Sequence, residues 1–153
     1  MRESHHRYKF QGSSLYSKSY APYVADCITA HCAGRYDLIT WVPLSKKRLR
    51  KRGYDQAKLL AADTAKALGT KAVATLKKAK DTAAQSELGG KDERRANISG
   101  AYEILDKALI AEKRILLIDD IATTGSTLSE CARCLLMAGA EEVLCATLAR
   151  ASV

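Results

Sequence analysis

The stretch from Ile115 to Leu148 constrains this chain more than any other. Ile115-Leu116-Leu117-Ile118 is a run of four apolar residues flanked by charge, which reads as a buried central strand. Asp119, Asp120 and a small hydroxyl-rich turn follow it. A helix is then expected to run to about Ala138, with Leu128, Cys131, Ala132, Leu135 and Leu136 on one face and Gly139 as its stop. Val143 to Leu148 reads as the next strand. Strand, helix and strand within about 35 residues make a βαβ unit, which should be parallel and right-handed. The fold class that follows is α/β.

The remaining elements are expected to complete one domain over residues 1–153, a length that suits a single core. Residues 13 to 33 carry Leu15, Tyr20, Val24, Cys27, Ile28 and Cys32 at mostly helical steps, with Pro22 as a candidate true start. Leu38 to Val42 reads as a buried strand ended by Pro43. Tyr54 to Leu68 reads as a helix stopped by Gly69. Val73 to Leu76 and Tyr102 to Leu105 read as short strands. The segment 77–100 is polar, holds Gly89-Gly90 and has no sustained apolar period. Long unpatterned loops in compact domains are functional lids or disordered segments.

Several function classes fall away on composition. No stretch approaches the roughly 18 to 20 apolar residues that span a bilayer, and the N-terminus is polar and basic, so a cytoplasmic location is expected. Five cysteines, an odd number without scaffold spacing, read as reduced thiols. Cys131 and Cys134 form a C-x-x-C, but in the middle of a helix rather than at the N-terminus that activates such thiols. The net charge of +8 points to acidic partners. Part of it sits in Ser45–Gly53, where Lys46, Lys47, Arg48, Arg50, Lys51 and Arg52 occur without an acid.

The chemistry concentrates after the strand at Ile115. In open α/β sheets, ligands bind outside the carboxyl ends of the strands. The free N–H groups at a helix N-terminus attract anions. Thr123, Thr124, Ser126 and Thr127 add hydroxyls, and Gly125 lets the backbone come close. That turn can hold a phosphate. Asp119 and Asp120 would repel a lone phosphate, so the ligand should also offer hydroxyls or a metal ion. A ribose 5-phosphate offers a phosphate and a cis-diol. LLIDD alone also resembles a Walker B strand, but the chain has no G-x-x-x-x-G-K-[ST] to partner it. Helix-dipole charges are the other ordinary role for two such acids.

ILLIDDIATTGSTL resembles the signature of the type I phosphoribosyltransferases. VPLSKKRLRKRGYDQA, QSELGGKDERRANISGAYEI and RYKFQG resemble segments of the ComF family of bacterial phosphoribosyltransferase-like proteins. The resemblance implies a type I phosphoribosyltransferase fold: a central, mostly parallel sheet flanked by helices, with a flexible loop and a small hood. It implies binding of 5-phosphoribosyl-1-pyrophosphate (PRPP) with Mg²⁺. Ala122, Thr123, Thr124, Gly125, Ser126 and Thr127 would take the 5′-phosphate. Asp119 and Asp120 would hold the ribose hydroxyls as catalytic residues, and would meet the metal only indirectly, through the ligand. Ser45, Lys46, Lys47 and Arg48 would bind pyrophosphate, leaving Lys51 and Arg52 for other partners. The segment 77–100 matches the family's mobile catalytic loop, whose Arg94 and Arg95 would reach the ligand.

Two departures shape the expectation. The chain shows no N-terminal cysteine-rich zinc module of the kind many ComF proteins carry. Thr123 stands where purine-salvage members place an Asp, which argues against purine salvage by that route. The acceptor stays unidentified, and the resemblance leaves room for a homodimer. A second function class is an accessory role in DNA uptake, with single-stranded DNA or competence proteins as partners of the basic run. One Phe and one Trp make stacking platforms scarce.

Overall fold

The computed structural model describes residues 15–80 and 100–151. Its elements are α1 (Leu15–Cys32), β1 (Leu38–Trp41), α2 (Lys46–Arg52), α3 (Gln56–Ala67), β2 (Leu76–Lys78), β3 (Tyr102–Ile104), β4 (Arg114–Ala122), α4 (Ser126–Met137) and β5 (Glu142–Arg150). The main sheet has the order β1-β4-β5 and both pairings are parallel. β2 and β3 pair antiparallel as a separate ribbon.

β4 is the centre because both its faces are apolar. Ile115, Leu116, Leu117 and Ile118 have no solvent exposure. Side chains alternate across a strand, so these residues divide between two cores. Ile115 and Leu117 pack with Val42, Tyr102, Ile110, Cys131 and Leu135, under α4 and the β2–β3 ribbon. Leu116 and Ile118 pack with Val24, Ile28, Ile39, Leu60, Ala61 and Ala65, under α1 and α3. Each such side chain contributes roughly 1.5–3 kcal/mol by leaving water.

The connections run outward in opposite directions from the β1–β4 seam. After β1 the chain passes through α2 and α3 and returns to the far side of β1, where Ala72 bridges Ile39 in parallel and the Val73 N–H donates to the Ile39 carbonyl (2.8 Å). After β4 it passes through α4 to β5 on the other side. The carboxyl ends of β1 and β4 therefore flank a topological switch point, where a crevice opens between diverging loops. The opposite end of the sheet is tied down by ions. Arg114 grips Asp37 with two nitrogens (2.7 and 3.0 Å) and donates to the Gly34 carbonyl (2.8 Å).

Three sequence expectations change. Pro22 lies inside α1 instead of starting it. Its position is exposed while Ala21, Val24 and Ala25 are buried, so the hydrogen bond it forgoes falls on the solvent side. The basic run at 45–53, for which the sequence predicts no element, forms α2, capped at both ends. The strand expected at Val73 to Leu76 is instead Leu76–Lys78, preceded by the single bridge at Ala72. All five cysteines are free thiols, and Cys131 is buried in mid-helix, where burial pushes its thiol well up. Among the described residues no helix is long and apolar enough to cross a membrane.

Candidate functional site

β4 outruns β1 at the crevice. The last rung between them is the Val42 N–H donating to the Ile118 carbonyl (3.0 Å), after which Pro43 turns the chain away. Asp119 and Asp120 thus stand beyond the end of β1 while still held by β5, through the Asp119–Thr147 and Ile121–Ala149 partners. Both acids are 8% exposed. The Asp120 N–H donates to Asp119 Oδ1 and the Ile121 N–H donates to Asp120 Oδ1, each at 2.8 Å. Each carboxylate is thereby folded forward along the chain, toward the turn.

The turn then passes into α4 without an ordinary cap. Ala122 ends β4, its carbonyl accepting from the Ala151 N–H (2.9 Å). Thr123 and Thr124 follow, half-buried. Gly125 takes the N-cap position at φ 77°, in the left-handed region, and as a glycine brings no side chain to cap the helix. No acid occupies the first turn either. The Thr124 and Ser126 hydroxyls lie 2.7 Å apart, and the Ser126 N–H reaches Thr124 Oγ1 at 3.3 Å. Ser126 is buried and begins the first turn, with Thr127 next to it. The helix end therefore presents amides and hydroxyls with a favourable dipole, which suits a phosphate.

Beyond the carboxyl end of the neighbouring β1 lies α2. Ser45 is buried and serves as its N-cap, accepting from the Arg48 N–H at 3.3 Å. Lys46 and Lys47 are exposed, and Arg48 is half-buried. The loop that delivers α2 is fixed by Asp55. Its Oδ1 caps α3 through the Lys58 N–H (3.1 Å), and its Oδ2 accepts from the Leu44 N–H (3.0 Å). Burial pushes the Asp55 carboxyl up, with the negative field of Asp120 adding to it. Residues from three elements thus share one electrostatic neighbourhood. Tyr102 joins it from β3. It is 5% exposed, Lys78 lies over its ring at 5.4 Å, and burial raises its hydroxyl strongly, with Cys131 and Asp119 adding to the shift and Arg48 opposing it.

The structure places Asp119, Asp120 and the turn from Ala122 to Thr127 at the carboxyl end of β4, with Ser45 and Arg48 beyond the carboxyl end of the adjacent β1. It leaves Lys46 and Lys47 facing water. Arg94 and Arg95 lie outside the described residues. Sequence reasoning gave no role to Asp55, Tyr102 or Glu130. Asp55 had a usable signal, an acid immediately before a helical pattern. Glu130, buried on α4, accepts from the Gly100 N–H (2.7 Å) and pairs with Arg133 (2.8 Å). It pins the residues that lead into β3.

A metal ion fits this donor set only with help. Among the described residues no group of three or more His, Cys, Asp or Glu gathers as a cation site. Two adjacent buried carboxylates beside a turn of amides and hydroxyls would leave a Mg²⁺ ion to be held largely by ligand oxygens, as Mg²⁺ takes few protein groups where phosphates are present.

A parallel sheet with helices on both faces, opened at its switch point by an acidic strand end and an uncapped helix, is the type I phosphoribosyltransferase fold. The amidotransferase described as glutamine phosphoribosylpyrophosphate (PRPP) amidotransferase from B. subtilis shares it, with a TM-score of 0.54 and 19% identity over 84% of this chain and 26% of that one. So does a hypoxanthine phosphoribosyltransferase from Staphylococcus aureus, with a TM-score of 0.51 and 17% identity over 88% of this chain and 63% of that one. The phosphoribosyl transferase domain family model matches residues 55–152. Competence protein F of Haemophilus influenzae is 34% identical over 151 residues, covering 95% of this chain and 66% of the relative. Competence protein ComFC of Streptococcus pneumoniae is 30% identical over 98% of this chain and 63% of its own length. The DNA utilization protein YhgH of Escherichia coli K12 is 32% identical over 73% and 50%. The chain belongs to the phosphoribosyl transferase domain family, in its ComF branch, and spans about half to two thirds of the length of these curated relatives.

Proposed function

We propose that the crevice binds PRPP with Mg²⁺ and supports transfer of its phosphoribosyl group to an acceptor. One observation carries this reading: an α4 N-terminus without a side-chain cap follows directly on two buried carboxylates at the switch point. The turn from Ala122 to Thr127 would take the 5′-phosphate through its amides and hydroxyls. Asp119 and Asp120 would hold the ribose hydroxyls. Mg²⁺, held by ligand oxygens, would neutralise pyrophosphate charge. In the reaction the bond from C1 of the ribose to the pyrophosphate oxygen breaks, and a bond from C1 to the acceptor nucleophile forms. Positive charge develops on the sugar, where the two buried carboxylates stabilise it, while Arg48 faces the departing pyrophosphate. Thr123 supplies no general base, so the acceptor must bring its own or lose its proton to solvent.

Calorimetry with PRPP and Mg²⁺ tests this. The isosteric pair Asp119→Asn with Asp120→Asn should abolish binding, and unchanged affinity would contradict the reading.

The names of the relatives favour a second role. Competence and DNA utilization proteins handle DNA, and α2 turns Lys46, Lys47, Arg50 and Lys51 outward. That face would contact single-stranded DNA through phosphates, in a cytoplasmic step of DNA uptake. The affinity should then fall steeply with salt, with a log–log slope on the order of 0.7 per phosphate contact. No binding at low salt would remove this role and leave the first intact.

A further inference from the structure

We infer that the outer edge of β5 is a self-pairing surface, where two copies of this chain meet antiparallel and join their three-stranded sheets into one. The inference stands apart from the PRPP reading.

The main sheet has two edges, and they differ. Beyond β1 the chain itself returns, with Ala72 bridging Ile39 and the Val73 N–H donating to the Ile39 carbonyl (2.8 Å). Beyond β5 no strand pairs among the described residues. β5 is nine residues long, as long as β4, and none of its residues is buried. Natural sheet edges are blunted by short strands, lysines or prolines, because a row of open N–H and C=O groups recruits another strand. β5 is long instead, and from Val143 to Ala149 it carries no charge and no proline. Cys145, in its middle, is exposed.

The strand's own sequence says what fits beside it. β5 reads EVLCATLAR, with two charges of opposite sign at its two ends. Laid antiparallel against itself about Ala146, every residue finds a partner. Glu142 stands opposite Arg150 of the second copy, Val143 opposite Ala149, Leu144 opposite Leu148 and Cys145 opposite Thr147. Directly opposite residues share a face of an antiparallel pair. Leu144, Ala146 and Leu148 therefore continue the apolar side on which they already pack under α1 and α3. A slide of two residues either way sets a charge opposite Leu148 or Leu144 and removes both ion pairs. A slip of one residue would join the α1 side of one copy to the α4 side of the other. Glu142 also meets Arg35 of its own chain (2.6 Å), a solvent-exposed pair that a second guanidinium can join. The arrangement is isologous, so every contact off the axis occurs twice. It runs the two β5 strands in opposite directions, which sends the two crevices to opposite ends of the joined sheet.

Sedimentation velocity over a range of concentrations tests this on the wild type, Arg150→Glu, Glu142→Arg, the double exchange of both, and Cys145→Lys. The wild type should sediment as a dimer at hundreds of micromolar and dissociate on dilution. Arg150→Glu and Glu142→Arg should each weaken the dimer by roughly 5- to 30-fold, because each sets like charges opposite one another at two symmetric places. The double exchange should restore it. Cys145→Lys puts a charge in the middle of the edge and should leave a monomer. A wild type that stays monomeric overturns the inference and leaves the edge to a strand of another protein. A dimer that neither Arg150→Glu nor Cys145→Lys weakens overturns it by placing the contact elsewhere. A double exchange that dimerises no better than the single variants overturns the antiparallel register. Should Cys145→Lys fail to fold, the charge exchange decides alone.

Discussion

The two sides of the crevice are both strand-to-helix turns, yet they solve the helix-end problem in opposite ways. On the β1 side, Ser45 closes the N-terminus of α2 with its own side chain, and no residue of α2 is buried. On the β4 side, Gly125 leaves the N-terminus of α4 without a side-chain cap, and α4 buries Ser126, Glu130, Cys131 and Leu135. A helix seated in the core tolerates an open end, because packing holds it in place. A short exposed helix has no such reserve and needs its cap. The open end is then available to a ligand through backbone groups, whereas the capped helix has only side chains to offer. On the proposed reading, one wall would recognise phosphate by shape and dipole, the other by charge.

The most disruptive way to break this contrast is at Gly125. Gly125→Val forces a β-branched residue to φ 77°, a conformation costing on the order of 1–3 kcal/mol for a residue with a side chain. An added Cβ meets no atom within 4 Å, so the cost is conformational and not a clash. The melting temperature should fall and ribose 5-phosphate binding should be lost, while pyrophosphate binding suffers less. A smaller effect is expected at Ser45. Ser45→Ala should lower stability in urea by about 1 kcal/mol through loss of the cap. It should weaken pyrophosphate more than ribose 5-phosphate, the mirror image of the Gly125 result. The smallest effect concerns the support of α4. Arg133 holds the Glu130 carboxyl below its ordinary value of 4.5, with the Gly100 N–H adding to this against the opposing effect of burial. A lowered carboxyl contributes stability that is present above 4.5 and lost as pH falls through its folded value. Glu130→Gln should therefore lower the melting temperature most above pH 4.5 and converge with the wild type as pH falls, flattening the acid limb of the series.

The sheet and the turn after its central strand were legible where signals were local. The apolar run at Ile115, the two acids and the Thr-Thr-Gly-Ser-Thr turn lie within one stretch of chain, and the strand, turn and helix appear where that stretch places them. β4 proved longer, running through both acids to Ala122, because β5 continues to pair with it beyond the apolar run. α2 was not legible, because six like charges in seven residues argue against a helix. Ser45 before them and Gly53 after them were nonetheless the cap signals. The sorting of those charges into two sides depends on tertiary burial, which composition does not carry. Tyr102 was hidden for the same reason, reaching the site region from an element distant in sequence, and Glu130, on α4 itself, was hidden because its partner Gly100 is distant in sequence.

The alternation along β4 has a consequence for how damage would spread. Asp119 continues the side of Ile115 and Leu117, and its field is felt by Tyr102 and Cys131. Asp120 continues the side of Leu116 and Ile118, and its field is felt by Arg52 and Asp55. Neighbours in sequence, the two acids answer to different halves of the interior. A packing defect beneath α4 should disturb the first and spare the second, and a defect beneath α3 should do the reverse.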